Sequence, residues 1–186
     1  MGNKQTRVRR AELKKLNDQT HFTLAEINEL FEQFKNISSS IEDDGLIDVD
    51  EFRDALGLKD SLMVRRMFKL FDGDNNGTID FREFIVGLSV FNEKATMEEK
   101  LKFSFKIYDF DGDGHISKDE LQKMVEASLI EADMNLPEET LKELVNNTFA
   151  EADKDGDGQI SFEEYRSLVQ EHPNMLNNMN IDKHKK

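Results

Sequence analysis

The chain has 186 residues, of which 39 are acidic and 25 are Lys or Arg, and its formal net charge at pH 7 is −14. It has no cysteine, so disulfide bonds are excluded, and it has no apolar run long enough to cross a bilayer. The length is sufficient for two small lobes. No basic stripe occurs after the first sixteen residues, so the composition gives no support for nucleic-acid binding.

The first segment, residues 1–20, is polar and is expected to be flexible. Its first six residues fit the N-myristoylation pattern, which would place an acyl chain on Gly2. Residues 1–16 carry six basic side chains and one acidic side chain, and a basic patch is a suitable second signal for membrane attachment. These features predict a cytoplasmic protein with peripheral attachment to a membrane. The alternative is a glycine that follows Met1 by chance and a basic tail that aids solubility.

Residues 38–51 resemble a calcium-binding loop that has lost part of its ligand set. Three positions of a twelve-residue loop are filled as expected, namely positions 6, 8 and 12 by Gly45, Ile47 and Glu51. In this register position 1 is Ser40, which removes the first carboxylate. A second register begins at Ser38 and gives a fourteen-residue loop with two inserted residues. Two hypotheses remain open: the segment only pairs with a neighbouring loop, or it binds calcium weakly through backbone carbonyls.

Three later segments fit the twelve-residue calcium-binding loop completely, at residues 72–83, 109–120 and 153–164. Ca²⁺ takes about six to eight oxygen ligands, and such a loop supplies them from positions 1, 3, 5, 7 and 12. Short acidic or amide side chains fill positions 1, 3 and 5: Asp72, Asp74, Asn76, Asp109, Asp111, Asp113, Asp153, Asp155 and Asp157. Position 12 is a glutamate that can offer both oxygens: Glu83, Glu120 and Glu164. Position 7 contributes its backbone carbonyl, from Thr78, His115 and Gln159.

The remaining positions of the three loops support the same interpretation. Position 6 is always glycine, which permits a sharp turn, and position 8 is always isoleucine, which suits a short strand that pairs with a neighbouring loop. The loops carry net charges of −3, −4 and −4, so most of the acidity of the chain is metal-site charge. One loop alone would be compatible with a surface turn that binds nothing, but three complete matches are not.

Apolar residues with helical spacing continue on both sides of every loop. They predict an all-α fold of four helix-loop-helix units, or EF-hands, with short antiparallel strands between paired loops. The expected pairs are residues 21–92 and 96–172, followed by a helix and tail at 173–186. The chain has fourteen Phe and eight Met, enough for two small cores and an apolar groove. The alternative is that the last helix, with Met175, Leu176 and Met179, docks into that groove as a lid.

Together these motifs resemble the calcineurin B-like calcium sensors, EF-hand proteins related to the calcineurin B regulatory subunit. The most specific likeness is the first unit, residues 30–47, and shorter likenesses occur at residues 88–92, 103–108, 134–136 and 171–176. The resemblance implies a non-enzymatic protein that binds a helical segment of a Ser/Thr protein kinase or of a calcineurin catalytic subunit. Neuronal calcium sensors share the acylated start and the inactive first unit, but they usually have Cys-Pro in the first loop.

The sequence therefore predicts a calcium sensor and regulatory subunit with three complete sites. Calcium would draw the helix after each loop toward the ion and open an apolar groove for a partner helix. The alternative is a calcium buffer without a dedicated partner, which would expose little apolar surface on binding. An enzyme is disfavoured, because the acidic residues are committed to metal and the sequence shows no nucleophile with an accompanying base.

Overall fold

A computed structural model describes residues 10–172 and residue 175. This part of the chain contains nine α-helices, a short 3₁₀ turn at Ser89–Phe91 and two short strands. The helices are α1 (Arg10–Gln19), α2 (Leu24–Ile37), α3 (Val49–Leu56), α4 (Leu62–Phe71), α5 (Phe81–Leu88), α6 (Met97–Tyr108), α7 (Lys118–Glu131), α8 (Glu138–Ala152) and α9 (Phe162–Glu171). The strands are β1 (His115–Ser117) and β2 (Gln159–Ser161). The predicted all-α class is confirmed.

Capping boxes start six of these helices. At α2 the backbone N–H of Thr23 donates to Glu26 Oε2 at 2.8 Å, and the Thr23 hydroxyl accepts from the Glu26 N–H at 3.3 Å. This reciprocal pair satisfies two of the backbone donors that every helix start leaves without an intrahelical partner. The same arrangement begins the helices after the N-caps Asp48, Asp80, Thr96, Ser117 and Ser161.

The position-8 isoleucines pair the loops in twos, as the sequence predicts. In the second half of the chain β1 and β2 run antiparallel with Ile116 opposite Ile160. In the first half an isolated bridge joins Ile47 to Ile79, whose N–H and C=O groups exchange hydrogen bonds of 3.0 and 2.8 Å. All four side chains are at most 2 % exposed, so each pairing also closes a piece of the apolar core.

Residues 10–57 and 68–95 form the first compact unit. Its core is built from phenylalanine rings in edge-to-face contact, with Phe52 5.7 Å from Phe68 and 5.1 Å from Phe71 between ring centroids. The Phe71 ring lies directly against Gly87 of α5, where a β-carbon would overlap it. The absence of a side chain at position 87 therefore allows the rings of this core to reach the backbone of α5.

Helix α1 changes the expectation of a flexible segment over residues 1–20. Residues 10–19 are helical, and the side chain of Leu16 is buried against the rest of the unit. The chain after the helix is also fixed, because Asn17 Nδ2 donates to the Phe22 carbonyl at 2.8 Å and the His21 N–H donates to Ser89 Oγ at 3.0 Å. Residues 1–9, including Gly2, lie outside the described residues.

The second unit contains residues 58–67 and 96–172. Among the side chains of its core, Phe105 contacts Tyr165 with 5.5 Å between ring centroids, and the Tyr165 hydroxyl donates to Ser104 Oγ at 2.9 Å. Burial raises the pKa of Tyr165 far above its ordinary value, so this hydroxyl stays a hydrogen-bond donor. Apart from Met175, the expected C-terminal helix around Leu176 and Met179 lies outside the described residues.

Residues 58–67 belong to the second unit although they precede α5 in the chain. Lys59 donates through Nζ to the Ile130 carbonyl at 2.9 Å, forms an ion pair with Asp133, and donates through its N–H to Glu131 Oε2 at 3.1 Å. These contacts satisfy carbonyl and carboxylate groups at the end of α7. Helix α4 consequently has its first six residues in the second unit and its last four in the first.

Candidate metal centre

Three loops with the predicted spacing each lie between the end of one helix and the start of the next. Loop 72–83 joins α4 to α5, loop 109–120 joins α6 to α7, and loop 153–164 joins α8 to α9. The residue at position 1 donates its N–H back to the preceding helix, and the residue at position 9 caps the following helix. Helix ends therefore fix both ends of each loop.

In loop 72–83 the acidic side chains of positions 1, 3 and 12 converge. Carboxylate oxygens of Asp72, Asp74 and Glu83 lie within 4.8 Å of one another. Asp72 is buried and accepts hydrogen bonds from the N–H groups of Asn76 at 3.0 Å and Gly77 at 2.9 Å. Gly77 has a φ of +89°, which only glycine adopts without strain, so the loop can fold back over Asp72.

The other two loops repeat this geometry. Their converging carboxylates, again within 4.8 Å of one another, are Asp109, Asp111 and Glu120 in one loop and Asp153, Asp155 and Glu164 in the other. Each position-1 aspartate accepts from the position-6 glycine N–H at 3.1 Å. The loops differ in burial, because Asp109 and Glu120 are buried whereas Asp153 and Glu164 are partly exposed.

The predicted residues at positions 5 and 7 stand beside these clusters. Each position-5 side chain accepts the N–H of the position-7 residue at 2.8 Å, in the pairs Asn76 with Thr78, Asp113 with His115, and Asp157 with Gln159. The Thr78 hydroxyl also donates to Asn76 Oδ1 at 2.7 Å. The structure thus brings together the predicted side chains at positions 1, 3 and 12 of each loop, and it places the residues at positions 5 and 7 in contact with each other.

The position-12 glutamates are held by the loops themselves. Glu120 Oε1 accepts the N–H groups of Phe110 at 2.7 Å and Asp111 at 3.3 Å, and Oε2 accepts from Ser117. Burial of Glu120 raises its pKa, but these hydrogen bonds outweigh burial and lower the pKa below its ordinary value. The pKa of Glu164 is lowered in the same way. Both side chains are therefore kept as carboxylates.

The three clusters lack cationic side chains as partners. Among the described residues, none of the nine clustered carboxylates forms an ion pair with Lys or Arg. Like charges this close together repel, and burial strengthens the repulsion. The donor set consists of oxygen atoms only, which is what a hard divalent cation prefers. The residues present fit a bound Ca²⁺ ion.

Loop 38–51 follows the fourteen-residue register. Ser38 directly follows α2 and donates its N–H to the Phe34 carbonyl at 2.9 Å, as Asp72 does to the Phe68 carbonyl at the end of α4. Its hydroxyl, however, is directed toward the carbonyl of Lys35, 3.5 Å away. The side chain at position 1 is therefore a buried serine that offers no carboxylate to the loop.

The last residue of this loop keeps the position-12 arrangement. Glu51 is 2 % exposed, and its Oε1 accepts the N–H groups of Ile41 at 3.1 Å and Glu42 at 3.5 Å. In loop 72–83 the equivalent donors are the residues at positions 2 and 3. The two extra residues of loop 38–51 are thus Ser39 and Ser40. Among the described residues, no cluster of three metal-ligating side chains includes this loop.

Two further features have no sequence signal. His172 Nε2 lies 2.7 Å from Glu151 Oε1, and Glu171 pairs with Lys154 at 3.1 Å, so exposed polar side chains connect the end of α8 with the end of α9. In addition, Arg66 of α4 donates to backbone carbonyls around the start of loop 109–120. Both depend on contacts between residues far apart in the chain, which no local pattern indicates.

The second unit also contains an apolar cavity of about 380 Å³. Its lining comes from α6, α7, α8, α9 and both strands and includes Leu121, Met124, Val125, Leu129, Met134 and Met175. Met134 is 56 % exposed, so the cavity has an apolar rim at the surface. None of the described helices combines the length and apolar character needed to span a bilayer.

Comparison with known proteins gives two family matches and several relatives. Residues 98–170 match the model of an EF-hand domain pair, and residues 63–91 match the model of an EF hand domain. Neither range includes loop 38–51.

Among the relatives, the calcineurin B protein of Naegleria gruberi is 38 % identical over 150 residues, covering 72 % of this chain and 84 % of the relative. The type 2 calcineurin B protein of Rattus norvegicus is 46 % identical over 102 residues, covering 55 % and 57 %. The calcineurin B protein of Candida glabrata is 42 % identical over 106 residues, covering 57 % and 59 %.

Proposed function

Because the chain belongs to the calcineurin B-like family of EF-hand calcium sensors, we propose that it is a regulatory subunit that binds three Ca²⁺ ions and then receives a partner helix. The proposed pairs of EF-hands span residues 21–92 and 96–172. The single observation that carries the proposal is the convergence of carboxylates in three clusters, none of which forms an ion pair with Lys or Arg among the described residues. We infer that the chain itself is not an enzyme.

Each of the three ions would be held by five residues of one loop. The proposed ligands are the side chains of Asp72, Asp74, Asn76 and Glu83 with the carbonyl of Thr78, those of Asp109, Asp111, Asp113 and Glu120 with the carbonyl of His115, and those of Asp153, Asp155, Asp157 and Glu164 with the carbonyl of Gln159. Oxygen ligands with a bidentate glutamate favour Ca²⁺ over Mg²⁺, which keeps more of its water. Loop 38–51 would serve as a pairing partner.

Titration of the metal-free protein with Ca²⁺ tests this assignment. Three ions per chain with dissociation constants of about 10⁻⁷ to 10⁻⁵ M are expected, which is the range of calcium sensors. Fewer than three ions would remove at least one of the proposed sites. Four ions per chain would show that loop 38–51 also binds calcium.

We propose that the apolar cavity of the second unit is part of the partner site. An amphipathic helix binds by laying its apolar face into a groove lined by side chains such as Met and Leu, which adapt to its shape. The cavity is lined by such residues and reaches the surface at Met134. The names of the relatives favour a calcineurin catalytic subunit as the source of the helix. The kinase partner that the sequence predicts stays a prediction.

The partner site can be tested with two matched substitutions. Met134 lines the cavity and is 56 % exposed, whereas Met97 is 61 % exposed and does not line it. Met134→Glu should weaken calcium-dependent binding to a recombinant calcineurin catalytic subunit, and Met97→Glu should not. Equal binding by both variants would remove this cavity from the proposal. A hydrophobic dye that shows no response to Ca²⁺ would favour a calcium buffer instead.

We also propose a cytoplasmic location with peripheral membrane attachment through a myristoyl group on Gly2 and the basic residues that follow. Lys14 and Lys15 are exposed on α1 and supply part of the basic surface. Co-expression with an N-myristoyltransferase should add one myristoyl group to the chain but none to Gly2→Ala. Sedimentation with anionic vesicles should then require both the acyl group and Lys14 and Lys15.

A further inference from the structure

Helix α4 contains two arginines, and in the described part of the chain only Arg66 donates hydrogen bonds to the backbone of a proposed calcium loop. Its Nε and Nη2 donate to the Lys106 carbonyl at 3.0 and 2.7 Å, and its Nη1 donates to the Phe110 carbonyl at 3.3 Å. Nη2 also donates to the carbonyl of Asp109. The guanidinium carbon lies 5.6 Å from the centroid of the Phe110 ring. Arg66 therefore spans the end of α6 and the first two residues of loop 109–120.

Two of these carbonyls belong to peptide groups that also hold Glu120. The peptide between Asp109 and Phe110 offers its C=O to Arg66 and its N–H to Glu120 Oε1. The peptide between Phe110 and Asp111 does the same. Because a peptide group is planar, fixing its carbonyl on one side fixes the direction of its N–H on the other.

We infer that Arg66 is a positioning residue for the calcium site of loop 109–120, acting through these two peptide groups on the carboxylate of Glu120. A guanidinium suits this role, because its rigid fork of donors can hold several carbonyls at once. The inference rests on the proposed function, in which loop 109–120 binds calcium. It adds a residue 43 positions before Asp109, on a helix that precedes a different loop.

Within the described residues, the other two loops have no arginine in this position. The N–H groups at positions 2 and 3 of loops 72–83 and 153–164 donate to Glu83 and Glu164, but no arginine donates to the carbonyls of the same peptides. These loops serve as internal references. Glu120 is also the most buried of the three position-12 glutamates. Water can therefore least replace the hydrogen bonds that orient its carboxylate.

Positioning and simple electrostatics predict opposite signs for removal of Arg66. A positive charge close to the loop repels Ca²⁺, so loss of that charge alone would strengthen calcium binding. Loss of the backbone hydrogen bonds would leave Glu120 less well oriented, and this would weaken calcium binding. Arg66→Met removes both the charge and the fork, and Arg66→Lys keeps the charge but loses the fork.

The experiment is a calcium titration of the full chain, labelled with ¹⁵N and followed at the position-6 amides of Gly77, Gly114 and Gly158. Each glycine donates its N–H to the first aspartate of its own loop and so reports on that loop. In both Arg66 variants the Gly114 midpoint should move to about fivefold higher Ca²⁺. The Gly77 midpoint should stay unchanged, and the Gly158 midpoint should move less than that of Gly114.

Arg65→Met is the matched control. Arg65 is the neighbouring residue on α4, carries the same charge, is 61 % exposed in its side chain and pairs with Asp60 at 2.9 Å. Its substitution should leave the Gly114 midpoint in place. In the metal-free protein, hydrogen exchange at Phe110 and Asp111 should accelerate in the Arg66 variants and not in Arg65→Met. A folding defect would instead accelerate exchange throughout the unit.

An unchanged or lower Gly114 midpoint in the Arg66 variants would overturn the inference while the proposed function stands. A Gly114 amide that does not respond to Ca²⁺ in the unsubstituted chain would overturn both. A Gly114 midpoint that moves to lower Ca²⁺ in Arg66→Met and stays unchanged in Arg66→Lys would assign the effect to the charge and would count against positioning.

Discussion

The two loops of the first unit share a framework and differ in their ligands. Loop 38–51 and loop 72–83 both have a glycine at positive φ, a buried isoleucine at position 8 and a glutamate at position 12 that accepts N–H groups of its own loop. Only loop 72–83 gathers three carboxylates. Backbone shape and pairing in an EF-hand loop are therefore set by features that persist when the position-1 carboxylate is absent.

The second unit has the same framework, and both of its loops have a full ligand set. Its loops are joined by a two-stranded sheet, whereas the loops of the first unit are joined by a single bridge. The comparison assigns distinct tasks to distinct positions. Position 8 should determine stability, positions 1, 3 and 5 should determine metal affinity, and position 12 should contribute to both.

Removing an isoleucine of the bridge should have the largest effect on stability. Ile47→Ala and Ile79→Ala each leave a cavity at a fully buried position, and each should lower the free energy of unfolding by about 3 kcal/mol. Urea unfolding of the calcium-loaded protein measures this change. A much smaller loss for Ile47→Ala than for Ile79→Ala would show that the ligand-poor loop is not an equal partner in the pairing.

Glu83→Gln should produce the largest effect on metal binding. The substitution removes the charge of a ligand that offers two oxygens, and calcium affinity depends on the ligand charge in the loop, so the affinity of loop 72–83 should fall about a hundredfold. Isothermal titration should then detect two ions near micromolar instead of three. Retention of three such ions would show that the cluster around Asp72 is not a calcium site.

Glu51→Gln makes the same chemical change in the ligand-poor loop and should have a different result. The buried carboxylate accepts several N–H groups, which an amide would satisfy only in part, so the free energy of unfolding should fall by about 1.5 kcal/mol. Calcium stoichiometry should stay at three. A lost ion in this variant would contradict the assignment of loop 38–51 as a pairing partner.

A smaller effect is expected from pH in the metal-free second unit. The pKa values of Glu120 and Glu164 in the folded chain lie below the ordinary value of 4.5, so both glutamates stabilise the folded state above that pH. This stabilisation should be lost as the pH falls through the lowered folded pKa values. Thermal unfolding between pH 6 and 3 measures it, with Glu120→Gln and Glu164→Gln as references whose transitions should depend less on pH.

The sequence was sufficient wherever the structure depends on short spacings. The helices beside the loops and the pairing of the position-8 isoleucines were both predicted from residues a few positions apart. The twelve-residue loops also depend on short spacings, because the side chains that converge in each loop come from one continuous segment of twelve residues. Local backbone geometry fixes where those side chains lie.

Contacts across long separations were not predictable in this way. Leu16 makes α1 part of the first unit by packing, although its segment reads as a polar tail. Lys59 and Arg66 draw residues 58–67 to the second unit by donating to carbonyls at the ends of α7 and α6. Backbone carbonyls are present at every residue, so no side-chain pattern indicates which of them a lysine or arginine reaches. The fourteen-residue register of loop 38–51 likewise required the position of the α2 end.

The carboxylate of Glu51, held by the amides of its own loop, has a consequence for chelators. The nine clustered carboxylates of the other loops repel one another when no ion compensates them, so withdrawal of calcium should loosen those three loops. Loop 38–51 has no such cluster among the described residues and should keep its shape in excess EDTA. At the calcium concentration of a resting cell, the ligand-poor loop would be the most persistently ordered of the four.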